Sequence, residues 1–209
     1  MKTIENKRAN ILNTALGLVR NLGFESVSIA TLAKEVGMSK SGLFAHFNSK
    51  EKMHIMILDH AAMTFSEEVF RSAIHHPRGL PRLKAIVENW LVWYQKDDGG
   101  TCPFVAASVE YDSKPGPVKD RIKMHTRQLI RGLEKAISLC IEEGHLQAHS
   151  STEQMTYELY SLIIGHLIYN RTMEFNSSGE LFQKALEGFF DFYKPEDNGE
   201  PCGTNIKKH

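Results

Sequence analysis

The chain has 209 residues, 42% of them apolar and 24% charged, with 25 Lys+Arg balanced by 25 Asp+Glu. This excludes a disordered, charge-dominated chain and leaves room for one medium domain or a small head on a larger body. No apolar run approaches the roughly 18 residues that span a bilayer, and Met1 to Arg8 lacks a signal peptide's apolar core, so a cytoplasmic protein without membrane contact is expected.

The zero net charge hides an asymmetry. Residues 1–50 carry seven Lys/Arg and three Glu, a net +4, whereas residues 51–209 carry 18 and 22, a net −4. A basic head on an acidic body fits phosphate contact by the head alone. Cys102, Cys140 and Cys202 are odd in number and far apart, with no Cys-x-x-Cys pair, so they are read as reduced.

Helical periodicity dominates from the start, and no segment alternates cleanly, so the fold class is all-α with about nine helices. Ile11, Ala15, Leu18 and Leu22 mark the inner face of a first helix, with Lys7, Arg8, Asn13, Thr14 and Arg20 opposite. Gly23 suits the left-handed position after it, and Phe24 can fold back as the cap's apolar partner. Ser28 is an N-cap ahead of Ile29, Leu32, Ala33 and Val36. Gly37 breaks this short second helix, Ser39 caps a third at about 40–46, and Leu43, Phe44 and Phe47 anchor that one. Asn48-Ser49 then caps a long helix from Lys50 to about Ile74, ended by His75-His76-Pro77.

Further on, Leu80 to Gln95 forms a helix closed by an Asp97-Asp98-Gly99-Gly100 loop. Pro103 opens a short helix to about Tyr111. After the Ser113 to Pro117 linker come helices from Val118 to Glu143, Thr152 to Glu174 and Glu180 to Tyr193. The domains read as a DNA-binding head at 1–49, a helical body at 50–194 and a disordered tail at 195–209.

A short helix, a Gly turn and a second short helix opening on exposed Ser39-Lys40-Ser41-Gly42 form a helix-turn-helix. Small or extended hydrogen-bonding residues there can enter a major groove, and Lys40 is the candidate for a guanine edge. Free N–H groups at the helix starts near Ser28, Ser39 and Lys50 can hold phosphate oxygens.

Over about residues 7–55 the chain resembles the DNA-binding head of the tetracycline-repressor (TetR) family. The resemblance rests on Gly23-Phe24, Ile29-Ala30, Val36-Gly37-Met38-Ser39, Gly42-Leu43-Phe44, His46-Phe47 and Lys50-Glu51. It implies that Ser28, Thr31, Ser39, Lys40, Ser41, Gly42, Phe44, His46 and Lys50 lie along double-stranded operator DNA. The family usually has Tyr where Phe44 stands. Phe cannot donate the phosphate bond, which shifts weight to Lys50.

The same resemblance implies a body that binds a small-molecule inducer among its middle helices and pairs into a homodimer through the last two. The Cys102 to Ser108 segment with Gly116-Pro-Val-Lys119 is similar to one subgroup of the family. Trp90, Trp93, Tyr94, Phe104, Tyr111, His125, His166 and Tyr169 are candidate pocket residues, being large and, Phe104 apart, carrying polar tips. Leu159, Leu162, Ile163 and Leu167 with Leu181, Leu186, Phe189 and Phe190 are candidates for the dimer seam. Ligand binding is expected to move the 50–74 helix and change the separation of the two heads.

Cys102, as an N-cap, could have a thiolate stabilised by the helix start, and some regulators of the family sense electrophiles through a cysteine near this loop, but here Thr101 separates Gly100 from Cys102 and a plain buried thiol is the commoner state. His145 and His149 lack a third ligand nearby, so no metal and no cofactor are expected. No catalytic residue is assigned: Gly-x-Gly-x-x-Gly, a Walker loop, His-Glu-x-x-His and Gly-x-Ser-x-Gly are all missing, which argues against an enzyme. The contrasting possibility is a regulator governed by a protein partner or acting structurally on the chromosome.

Overall fold

The computed structural model describes residues 2–147, 151–173 and 178–195, with side chains from residue 7 onward except at 97–99. The expected tail beyond residue 195, Cys202, His149 and Glu174 lie outside these residues. Among the described residues there are nine α-helices and no strand: α1 Lys2–Leu22, α2 Ile29–Glu35, α3 Lys40–Phe47, α4 Lys50–Phe65, α5 Leu80–Gly99, α6 Pro103–Glu110, α7 Pro117–Glu142, α8 Thr152–Met173 and α9 Ser178–Phe192. The all-α expectation therefore holds.

The first three helices owe their limits to local chemistry. Gly23 ends α1 at φ 79°, its N–H donating to the Val19 carbonyl at 2.9 Å, and Phe24 behind it is fully buried. Gly37 turns the chain at φ 66°, and Asn48 in the left-handed region closes α3. The inner face of α1 is rotated from the expected stripe, however. Ile11, Ala15, Leu16 and Val19 are buried, Leu22 is exposed, and Arg20 is only 2% exposed. The cause is that α1 packs against α2, α4 and α6, so its buried surface is wider than one stripe. Arg20 satisfies its charge there by donating to the Trp93 carbonyl at 2.9 Å and stacking over the Trp93 ring at 4.2 Å.

Two other expectations are corrected. Residues 97–99 continue α5 instead of forming a loop, and the turn comes at Gly100, packed so closely on Arg20 that a Cβ there would meet the Arg20 backbone. The helix from Lys50 is not uniform either: α4 passes into a π-helical segment, Ser66–Arg71. Each backbone N–H there reaches one residue further back, widening the helix beside a cavity described below.

The body is organised around α7, which packs on α4, α5, α6 and α8, while α9 lies on α8. Its centre is aromatic. Phe65 stands edge-on to Trp90 and Trp93 with ring centres 5.0 Å from each, and Trp93 stacks on Phe104 at 6.2 Å. Truncating such a ring costs roughly 3–5 kcal/mol, much of a typical domain's stability. The start of α5 has no cap of its own. His145, just beyond α7, supplies one by accepting the Leu80 N–H at its Nδ1, 3.2 Å away.

Candidate functional site

Three successive helices of the head begin with a serine cap: the Oγ of Ser28, Ser39 and Ser49 accepts the backbone N–H of Thr31, Gly42 and Lys52 respectively, each at 3.1 Å. At α2 the cap is reciprocal, because Ser28 N–H donates to Thr31 Oγ1 at 2.8 Å. The Thr31 hydroxyl then spends its proton on the Ser28 carbonyl. With the third amide of α3 and α4 tied to its cap, the preceding N–H groups stay free for an anion.

Leu32, Leu43 and Phe47 fill the space between α2 and α3, leaving Thr31, Ser39, Lys40, Ser41 and Lys50 exposed and Ser28, Gly42 and His46 half-buried. Phe44 is corrected as a core anchor: it is 49% exposed, an apolar ring in water on the polar side of α3. Lys40 makes no ion pair or hydrogen bond among the described residues. Lys50, in contrast, donates its Nζ to the Glu25 carbonyl at 2.9 Å, so a phosphate would have to replace that contact.

A clamp not anticipated from the sequence joins head and body. Glu110, last residue of α6, accepts the N–H of Phe24 at 3.0 Å and of Glu25 at 2.6 Å, holding the α1–α2 loop by two adjacent amides. Tyr111 meets His54 of α4, hydroxyl to Nδ1, at 2.5 Å, and His54 Nε2 lies 3.1 Å from the Val27 carbonyl. A carbonyl only accepts, so Nε2 carries the proton and Nδ1 accepts from Tyr111. Burial holds the His54 imidazole below its ordinary range, partly offset by the Val27 bond, and pushes the Tyr111 phenol up to about 12. Both groups are therefore neutral near pH 7. Lys114 pairs with Glu25 at 2.8 Å and, chiefly through that bond, lowers its carboxyl. At the other end of α6, Thr101 N–H donates to the Arg20 carbonyl at 2.8 Å.

Between α4 with its π segment, α5, α6 and α7 lies a cavity of about 520 Å³, within the range of small-molecule sites. Phe65, Phe70, Ile86 and Leu129 form much of its wall, and Phe104 closes it on the α6 side. His125 lies at the end where α4 and α7 approach the head. Its Nε2 is 2.7 Å from Asp59, which takes two further bonds from Arg121 at 2.9 and 3.0 Å.

The eight candidate pocket residues do not line one cavity. Phe104 and His125 reach the large one. Trp90 and Trp93 are each 1% exposed in the core behind Phe65. Tyr94 donates its hydroxyl to the Leu167 carbonyl at 2.9 Å, tying α5 to α8, and borders a cavity of about 180 Å³ shared with Cys102. Tyr111 serves the clamp and also borders a cavity of about 290 Å³ between α6 and α7, while His166 and Tyr169 line a depression between α8 and α9. An aromatic residue with a polar tip marks a helix's buried side without saying whether that side meets a cavity or another helix. Sequence pattern did not single out Phe70, Arg71, Arg82 and Lys135: Arg82 shares a helical face with Ile86 and Lys135 with Gly132 and Leu139, but Phe70 and Arg71 lie in the π segment, out of α-helical register with Phe65.

Cys102 does stand at the N-cap of α6, and of the two states open to it the structure favours the plain buried thiol over the thiolate. Burial pushes the thiol up, outweighing the Val105 and Phe104 amides and the Arg20 charge that favour the anion. The expected seam also divides: Leu159, Ile163, Leu167, Leu186 and Phe190 are buried within the protomer. The face left open consists of Leu162, Gly165 and Tyr169 on α8 with Leu181, Ala185 and Phe192 on α9, the last 72% exposed.

Comparison with known proteins accords with this architecture. Residues 11–54 match the family described as bacterial regulatory proteins, tetR family, and residues 79–186 match the tetracyclin repressor-like C-terminal domain. The nucleoid occlusion factor SlmA of Haemophilus influenzae is 23% identical over 159 residues, covering 72% of this chain and 73% of the relative. That of Aliivibrio fischeri is 24% identical over 190 residues, 87% and 96% of the two chains. A TetR-family transcriptional regulator from Agrobacterium tumefaciens superimposes with a TM-score of 0.80 at 17% identity, over 91% of this chain and 99% of its own. No helix among the described residues is long and apolar enough to cross a membrane. With both its head and most of its body matched, the chain belongs to the TetR family and is a DNA-binding transcriptional regulator.

Proposed function

We propose that the protein is a homodimeric repressor that grips a palindromic operator with α3 of each protomer and releases it when a small molecule occupies the 520 Å³ cavity. Lys40 reads a base edge, while Lys50 and the free amides at the starts of α3 and α4 hold phosphates. Ser28, Thr31, Ser39, Ser41, Gly42, Phe44 and His46 complete the DNA face. The open α8–α9 face pairs two protomers, setting the heads about 34–36 Å apart, one turn of DNA.

The observation carrying the ligand-responsive part is that the cavity shares its walls with the two elements that hold the head. Phe104 of α6 lines the cavity, and α6 ends six residues later at Glu110, which with Tyr111 grips the 23–27 loop. At 1.5 Å per residue, ligand and loop are separated by only about 10 Å of rigid helix. A second route runs down α4, whose Ala62 and Phe65 face the cavity and whose Lys50 opens the DNA side. Movement of either would spoil the spacing of two heads that must both fit the grooves.

The test is DNA affinity, measured by fluorescence anisotropy on an operator selected from random palindromes. Lys40→Ala should lose roughly 10–100-fold, as expected for one base contact. Unchanged affinity in both Lys40→Ala and Lys50→Ala at physiological salt would sink the reading. The names of the curated relatives favour a second reading, a nucleoid-acting protein. It predicts many degenerate sites and no response to a cavity ligand, and the size of the cavity weighs against it.

A further inference from the structure

Resting on the reading of the 520 Å³ cavity as an effector site, we propose that it selects an elongated amphipathic organic anion: a carboxylate or similar acid head on an apolar chain. Its shape follows from the lining. Contacts run along α7 from His125 to Leu139, about 21 Å at 1.5 Å per residue, and along α4 and its π segment from Ala62 to Ile74. The space is a trough parallel to two helices. Its head-proximal half, at Phe65 and Phe104, is aromatic and suits a hydrocarbon chain.

The distal half is cationic. Arg71, Arg82 and Lys135 line it, and none of the lining residues is Asp or Glu, although the body as a whole has a net acidic charge. Nearby carboxylates are engaged elsewhere: Glu142 and Glu143 pair with Arg78, and Glu68 with Lys96. Among the described residues the one ion pair this group forms is that of Arg71 with Glu67, 3.6 Å apart and exposed, so that water screens it. Arg82 is aimed by its backbone contacts, donating to the Ile74 carbonyl at 3.3 Å and to that of His76 at 3.1 Å. Those acceptors are neutral, so the guanidinium keeps its charge for a ligand. Lys135 makes no ion pair among the described residues. An acid head here gains charge-assisted hydrogen bonds, whereas a cation would meet three like charges.

The Asp59 carboxylate at the opposite end does not reverse this polarity. Arg121 and His125 both face it. A neutral tail beside that group costs little; an acid head pointed the other way would meet it. The head therefore goes to the Arg82 end and the tail toward Phe104, placing the ligand's far end on the helix that grips the DNA-binding head.

Calorimetric titration of the full chain with decanoate, decanol and decyltrimethylammonium, all below micelle-forming concentrations, tests this directly. Decanoate should bind about tenfold tighter than decanol, with the cation weakest. The double variant Arg82→Gln, Lys135→Gln should lose that preference while still binding decanol, and Arg131→Gln, which removes a nearby charge outside the lining, should keep it. Equal or tighter binding of decanol or the cation, or no binding by any of the three, overturns the anion proposal. The effector-site reading is judged separately by Gly132→Leu, which puts a side chain into the cavity against Phe70. With whichever of the three compounds binds, the wild type should release operator and a folded Gly132→Leu should not; a wild type that binds the compound without losing operator, or a variant that releases operator as the wild type does, sinks the effector reading whatever the charge preference.

Discussion

Glu110 of α6 accepts the backbone N–H of Phe24 at 3.0 Å, 86 residues away in sequence, and its second oxygen takes the next amide, that of Glu25. One carboxylate thus fixes the loop from which α2 starts. In Glu110→Gln one oxygen becomes an NH₂ facing a backbone donor, so one amide loses its partner and a donor–donor contact forms. A cost of about 1–3 kcal/mol is expected, or a few degrees in the thermal midpoint of a chain this size. Hydrogen exchange at the Phe24 and Glu25 amides should accelerate with it; unchanged exchange would show that the carboxylate does not hold the loop.

Tyr111→Phe examines the other half of the clamp. Removing the hydroxyl leaves His54 Nδ1 without its donor in a largely apolar place, at a cost of about 1–2 kcal/mol. Since Tyr111 adjoins the helix that borders the cavity, the variant should bind operator with altered affinity while retaining its inducer. Equal operator affinity together with an unshifted thermal midpoint would remove Tyr111 from the coupling.

What the sequence made legible was local. Ser28, Ser39, Gly23, Gly37 and the Pro103 helix start each act within four residues, and each expected role matches the structure. The contacts that join head to body were hidden for the opposite reason: Glu110 and Phe24, or Tyr111 and His54, have no spacing that foretells their meeting. Arg20 reads as a solvent-facing charge because charges on a helix usually lie there, yet three packed neighbours turn that side inward and the Trp93 carbonyl supplies a partner. The cavity was only half legible, since Phe104 and Trp93 look alike in sequence and only tertiary packing puts one against space and the other against Phe65.

Acid should weaken the fold through its buried imidazoles. Burial holds His54, His60 and His166 below 6.5, the value each has in the unfolded chain. Between that value and the lower folded one the unfolded state binds more protons, so stability falls with falling pH and is complete only above about pH 7. The thermal midpoint should stay level from pH 8 to 7 and drop from there to pH 5.5. A proton-NMR titration giving His54 a pKa at or above 6.5 would contradict this.

Two glycines with positive φ should respond unequally to alanine. Around Gly37, at φ 66°, no atom lies within 4 Å of the point a Cβ would occupy, so Gly37→Ala should cost only the backbone strain, about 1 kcal/mol. Gly79, at φ 85° and ψ −139°, occupies a region nearly confined to glycine, and a Cβ would overlap the His145 ring that caps α5. Gly79→Ala should therefore cost more, about 2–4 kcal/mol, adding the lost cap to the strain. Chemical denaturation of the two variants side by side checks the order, and equal costs would mean that His145 moves aside freely.

Cys102 should be inert while the protein is folded. Three influences favour its thiolate, namely the Val105 and Phe104 amides and the charge of Arg20, and one opposes it, complete burial against α5 and α8. Burial is the largest, so the thiol stays protonated near pH 7, and reagents reach it only when α6 opens locally. In a Cys202→Ser background, which leaves Cys102 and the equally buried Cys140, labelling by a charged disulfide reagent should be on the order of a hundredfold slower in the native state than in denaturant. Operator binding should survive mild peroxide in this background. Rapid native labelling of Cys102, with loss of operator binding that Cys102→Ser prevents, would restore the cysteine as a sensor and show that α6 opens far more readily than its packing implies.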